Sequence, residues 1–255
     1  MIAQTVETLM ERWISEIPES DAEKRYGCVL KQEHTRCVVA LSLRLGCLSN
    51  LSPENLRLVE AIGWFHDLGR FEQFRRYGTF DDGKSEDHSL LSLKMIQEKQ
   101  LDAAFSPEER GWIRAAVRMH NWFALPEVLP ETTRFFVNLI RDADRLDIYR
   151  VFRSYYQQGP KPDSPLELNF PDTGEVNHEI LRRILAGESP SYEDAQSVQD
   201  MRLIKLSWVY SFQTPGAHQL FLESGILPAT QSALPSNPDV ATVLETIESY
   251  CMKAR

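Results

Sequence analysis

The sequence predicts an all-α protein, and three observations carry that prediction. Apolar residues recur with the helical period, serine or asparagine followed by proline opens several segments, and alternating strand-like runs are scarce. In the first long segment, Leu30, His34, Val38, Leu41 and Leu45 share one helix face. Ser52-Pro53-Glu54 reads as an N-cap with proline at the first helical position. The helix behind it is expected to run to about Leu68, where Gly69 would stop it. His88 falls just inside a helix starting near Asp87, with Leu91 and Met95 on its side. Ser106-Pro107-Glu108-Glu109 is a capping box, opening a helix to about His120. Further helices are expected from Thr132 to about Phe152, from a Ser191 cap through Val209, and after Asn237-Pro238.

Two stretches read as loops: Arg70 to Glu86, and Gly159 to Asn177 with Pro160, Pro162, Pro165, Pro171 and Gly174. The second is taken as an insertion or lid. The expected organisation is therefore a helical core over residues 1–158 carrying the functional site. Residues 159–255 follow as a lid and C-terminal helices packed on the same domain.

The chain has 255 residues, 42% hydrophobic and 25% charged, enough for a sizeable core. Its net charge of −9 repels a phosphate backbone, so no nucleic-acid polymer is expected as partner. The first residues carry early glutamates, unlike a secretory signal, and no apolar run reaches membrane-spanning length. Cys28, Cys37, Cys47 and Cys251 show no CxxC spacing and read as reduced, mostly packing thiols, which points to a cytoplasmic location.

Several ligand-type residues stand where helix periodicity calls for apolar ones. His34 interrupts the stripe of its helix. His120 shares a face with Ile113, Ala116 and Val117. Asp144 lies between Ile140 and Ile148, and His88 lies beside Leu91. The apolar run Ala61–Phe65 ends in adjacent His66-Asp67. Burying such groups without partners is costly, and a shared divalent metal would satisfy all of them. Imidazole and carboxylate without thiolate suit Mn, Fe, Co, Ni, Zn or Mg better than a purely structural zinc. Six ligands exceed one tetrahedral site, and a carboxylate can bridge two ions. Periodicity cannot choose within Arg141-Asp142-Ala143-Asp144-Arg145-Leu146-Asp147, because Phe135, Leu139, Asp142, Leu146 and Tyr149 also form a stripe.

His34, His66-Asp67 and Asp144, in that order on helices, resemble the H…HD…D signature of the HD-domain metal-dependent phosphohydrolases. The resemblance covers roughly Lys31 to Arg150. It implies an HD-domain helical bundle with additional C-terminal helices, one or two divalent metal ions, and hydrolysis of a small phosphate ester such as a nucleotide. By resemblance, His34, His66, Asp67 and Asp144 hold a first metal, and His88, His120 and bridging Asp67 a second. The same likeness selects Asp144, with Asp142 and Asp147 as residues that orient a ligand or an arginine. Asn121 and the absence of a GYP segment depart from the HD-GYP branch, so cyclic-di-nucleotide hydrolysis is not implied. Asp67 and Arg70 are the catalytic candidates. Arg70 matches by type a basic residue that contacts substrate phosphate in the family. Arg75, Arg76, Lys84 and Arg145 are further phosphate-binding candidates, the loop residues being equally readable as a solvated cluster. His178 and His218 are read as structural or surface residues. Trp64, Trp112, Trp122 and Trp208 are read as core, with Trp122-Phe123 a lesser candidate for stacking on a base. Two other functions use the same residues: a mixed-valence di-iron oxygenase of the HD fold, and a non-catalytic signalling module that has lost its metal. Membrane association is not expected. Oligomeric state and substrate identity are not legible.

Overall fold

The computed structural model describes residues 2–160 and 165–254, so Pro162 of the second loop lies outside the described residues. Among the described residues every regular element is a helix and no strand occurs, which bears out the all-α class. The chain divides into two compact units, residues 1–144 and 145–255. The division falls inside one long helix.

The first unit contains α1 (Ile2–Glu16), α2 (Ala22–Leu48), α3 (Pro53–Phe65), α4 (Gly69–Tyr77), α5 (His88–Glu98), α6 (Pro107–Met119) and the first half of α7 (Glu131–Gln157). The caps read from sequence form here. Ser52 Oγ accepts from Asn55 N, and Ser106 and Glu109 make the full capping box. Asp87 caps α5 by accepting from Ser89 N. α3 is the central element and packs on α1, α2 and α6. Its residues Val59, Ala61, Ile62 and Phe65 are all buried, and burial continues through His66, Asp67 and Leu68. From Ala61 onward the helix is apolar and buried on every side, a segment stable only inside a core.

Gly69 works differently from the expectation. α3 ends at Phe65, the backbone tightens through Leu68 N→Phe65 O and Arg70 N→Asp67 O bonds, and Gly69 opens α4. Gly69 therefore does not cap α3 in the left-handed conformation; Gly78 does that for α4, at φ 67°. Gly69 serves close approach instead. A Cβ on it would lie 2.2 Å from His88 O and 2.5 Å from Ser92 N of α5. Ser92, fully buried, locks the same corner: its hydroxyl donates to His66 O and accepts from Gly69 N. Helix propensity alone favours Gly69→Ala by about 1 kcal/mol. The clash is with backbone, so the net result is expected to be a loss of about 3 kcal/mol. Urea denaturation checks this, and unchanged or raised stability would refute the packing role.

Two other expectations change. The segment 70–77 is helix rather than loop: Gly69 and Gln73 share a buried face of α4, and Phe71 is buried as well. The true loop spans residues 78–87 and holds one 3₁₀ turn, Asp82–Lys84. Ser191 does not open a long helix. It caps a 3₁₀ turn, Tyr192–Asp194, after which Ala195 and Ser197 are extended. Ser197 then caps α9 (Val198–Ser207) by accepting from Asp200 N.

In the second unit, α8 (His178–Leu185) packs on α9 and on α12 (Pro238–Lys253), and α12 packs on α10 (Ala217–Glu223) and α11 (Ile226–Ser232). Asn237 caps α12 as expected. α9 is buried on every residue, charged ones included. Arg202 pairs with Glu167 at 2.6 Å and 3.0 Å, and both are almost wholly enclosed. Lys205 Nζ lies 3.3 Å over the Phe152 ring. No described helix is long and apolar enough to cross a membrane. The four cysteines are free thiols, with Cys28 and Cys251 buried.

Candidate metal centre

Five helix ends or faces of the first unit deliver six ligand-type side chains to one place. His34 comes from mid-α2, His66 and Asp67 from the turn after α3, His88 from the start of α5, His120 from the end of α6, and Asp144 from mid-α7. The imidazoles converge, with ring centroids 5.7 Å apart for His34 and His66, 5.3 Å for His66 and His120, and 5.0 Å for His88 and His120. Two groups form. The ligand atoms of His34, His66 and Asp144 lie within 4.8 Å of one another, and so do those of Asp67, His88 and His120.

Asp67 stands between the groups. Its Oδ2 faces His34 Nε2 at 3.7 Å and His66 Nε2 at 3.9 Å. Its Oδ1 faces His88 Nε2 at 3.3 Å and His120 Nε2 at 3.8 Å. Of the three aspartates near residue 144, it is Asp144 whose carboxylate reaches His34 Nε2, at 3.1 Å. Asp142 is buried, and Asp147 pairs with Arg150 in the second unit.

The hydrogen bonds decide the tautomers. His66 Nδ1 lies 2.7 Å from Gly63 O and His120 Nδ1 2.7 Å from Val117 O. A carbonyl only accepts, so both Nδ1 atoms carry the proton and both Nε2 atoms offer lone pairs inward. His88 Nδ1 donates likewise to Asp82 Oδ2 at 2.7 Å. Two consequences fit a cation. His66 Nε2 is completely buried and has no hydrogen-bond partner among the described residues. His88 Nε2 and His120 Nε2 face each other at 3.0 Å, lone pair to lone pair.

The field around the cluster keeps His66, His120, Asp67 and Asp144 deprotonated. Burial, with the neighbouring His66 and His88 adding to it, pushes the His120 imidazole from 6.5 down to about 3. Burial also lowers His66. Burial alone would raise Asp67, but Lys31, then Arg70, His66 and His88, together hold it well below the usual carboxylate range. For Asp144 burial is outweighed by the His34 hydrogen bond and by the charges of His34 and His66, and the carboxyl is again low. Neutral imidazoles and ionised carboxylates are the forms that bind metal.

An acid dependence follows for the metal-free protein. The unfolded chain protonates this histidine near 6.5, whereas folded His120 resists until about 3. Stability is therefore complete above 6.5 and is lost as pH falls from there towards 3. His120 alone should cost about 2 kcal/mol between pH 7 and pH 5. Urea midpoints on chelator-stripped protein check this, and a flat profile over that range would contradict it.

Around the ligands lie residues that periodicity could not reveal. Lys31 Nζ donates to Asp67 Oδ2 at 2.9 Å. Arg70 Nε donates to Asp67 Oδ1 at 3.3 Å, and its Nη1 to Asp82 Oδ1, Gln73 Oε1 and Phe80 O. Gln73, with no exposure, ties Asp82 Oδ1, Ser85 Oγ and Glu86 O together. Arg141 on α7 donates to the carbonyls of Met119, His120 and Trp122, a cation at the C-terminal end of α6. The only sequence hint of these contacts is a lysine one turn before His34 and an arginine three residues after Asp67.

The other basic candidates pair elsewhere. Arg75 and Arg76 both donate to Glu72, Lys84 pairs with Asp81, and Arg145 donates to Ser211 in the second unit. Among the five basic candidates, Arg70 is the one in contact with the cluster. His218 hydrogen-bonds Val209 O, and His178 is exposed at the start of α8. Trp122 lies under the Arg118 guanidinium, and Phe123 is exposed.

No protein-family description matches the chain, and neither the curated proteins nor the solved structures yield a match.

Proposed function

We propose that the chain is a metal-dependent phosphohydrolase of the HD type, acting on a small phosphate ester at a binuclear centre. The observation that carries the reading is the Asp67 carboxylate, one oxygen turned to each of two histidine groups. The order His34, His66-Asp67, Asp144 supplies the likeness to the HD family, and the fold class agrees with it.

In this reading His34, His66, Asp144 and Asp67 hold one ion, and Asp67, His88 and His120 the other. Divalent ions held by these residues would supply Lewis acidity for a nucleophilic water and positive charge beside a phosphoryl group. The chain's own contribution is orientation. Gly63 O, Val117 O and Asp82 each fix an imidazole with Nε2 inward, and Ser92 sets the corner that carries His66 and Asp67. Charge also supports an anionic substrate. Asp67, Asp82 and Asp144 against Lys31 and Arg70 leave about one net negative charge, which a pair of divalent ions would turn strongly positive.

The test is metal content of protein purified without chelator, then phosphate release from a panel of phosphomonoesters and nucleotides. Two Mn, Co, Ni, Zn or Mg ions per chain with metal-dependent phosphate release support the reading. Two irons with oxygen consumption and no phosphate release would replace it with the oxygenase. No metal even after reconstitution would overturn it.

A further inference from the structure

Two cations reach Asp67, and they differ in how far they are committed. Arg70, on the first turn of α4, is engaged by Asp67, Gln73, Phe80 O and Asp82, with its side chain 16% exposed. Asp82 in turn holds His88 Nδ1. Moving Arg70 onto a substrate would give up this set of bonds and loosen the support of a ligand.

Among the described residues, Lys31 makes one hydrogen bond through its ammonium, to Asp67 Oδ2 at 2.9 Å. It sits on α2 one turn before His34, and its side chain is 27% exposed, the more open of the two cations. Oδ2 is also the oxygen turned to His34 and His66. An ammonium hydrogen-bonded to that oxygen and a metal ion ligated by it compete for the same lone pairs. Lys31 thus supplies the countercharge of the metal-free fold. Its four-carbon stem lets the ammonium swing when that role is taken over.

We propose that Lys31, rather than Arg70, is the residue that receives the substrate's oxyanion, giving up Asp67 when the centre is loaded. Arg70 is a positioning residue that braces Asp82 against His88. This rests on the metal phosphohydrolase reading and names which cation faces the substrate. The ligand class is a small oxyanion of the phosphate type, which three ammonium donors recognise as a point charge.

The test uses full-length protein, Mn²⁺ and inorganic phosphate. Lysine acylation read by mass spectrometry on the wild type is expected to show Lys31 more reactive once Mn²⁺ is bound and protected again by phosphate. Lys31→Met is expected to keep its Mn²⁺ while binding inorganic phosphate at least about tenfold more weakly by calorimetry, with partial rescue by Lys31→Arg. Arg70→Met is expected to lose Mn²⁺ affinity first. Mn²⁺ uptake with phosphate affinity of Lys31→Met within twofold of wild type would overturn the Lys31 assignment alone. A wild type that takes up no Mn²⁺ would overturn the metal reading and this inference with it. Should Lys31→Met fail to fold, the wild-type acylation pattern decides: reactivity of Lys31 unmoved by Mn²⁺ and phosphate overturns the proposal.

Discussion

Asp67→Ala is expected to empty the whole centre, whereas Asp144→Ala is expected to leave about half of the metal. The difference follows from where the two carboxylates stand. Asp144 belongs to the group with His34 and His66 only. Asp67 offers one oxygen to that group and the other to His88 and His120. Removing Asp67 also strips the carboxylate from Lys31 and Arg70, leaving two cations facing the space that divalent ions would occupy. Repulsion then adds to the lost ligand. Even a supporting residue beyond the ligands typically costs 10–100-fold in metal affinity, and a bridging ligand should cost more. Asp67→Asn, similar in shape but neutral, is the control for folding. Plasma mass spectrometry after dialysis against Mn²⁺ reads the outcome. Full metal content in Asp67→Ala would remove the bridging role.

Glu167→Ala is expected to destabilise the second unit by about 3–5 kcal/mol while leaving metal content unchanged. Arg202 is 3% exposed, and its two hydrogen bonds to Glu167 compensate most of its desolvation. Its remaining partners, Ala233 O and the face of Tyr156, carry no formal charge. Lys205 is also enclosed, and burial drives its amine pKa well below the usual lysine range against the pull of Glu167. Losing Glu167 therefore removes the carboxylate hydrogen-bonded to Arg202 and a charge that favours protonated Lys205, leaving Asp172 as a weaker influence on Arg202. Glu167→Leu combined with Arg202→Met is expected to recover most of the loss, since an apolar pair of similar volume avoids the desolvation cost. Urea unfolding of wild type, Glu167→Leu, Arg202→Met and the double variant forms the cycle, with Glu167→Ala measured beside it. A loss below about 1 kcal/mol for Glu167→Ala would show that the pair contributes little.

Much of the helical layout was legible because its causes are local. Ser52, Ser106 and Asn237 each cap a helix within three residues of themselves, and the stripes of α2, α6 and α7 follow from the helical period. Where two local signals competed, the reading failed. Ser191 and Ser197 both offer a cap, and only the extended backbone at Ala195 and Ser197 shows that the long helix starts at the second. Gly69 looked like a stop because glycine often ends helices, but contact with α5 selects glycine there.

The six ligand-type residues were visible for a related reason: each stands where a helix face should be apolar, so each announced a need for a partner. The sequence by itself determined an all-helical chain and a set of inward-facing imidazoles and carboxylates, because periodicity and capping act within a few residues. Only the tertiary structure decided that Asp67 stands between two histidine groups, that Asp82 orients His88 and that Arg141 closes the end of α6. It also decided that Lys31 is the more exposed of the two cations on Asp67. Those relations reach between residues as many as 53 positions apart, and no period encodes them. They arise when packed helices bring charges within hydrogen-bonding distance in a region from which water is excluded. There each charge must find its partner or lose several kcal/mol.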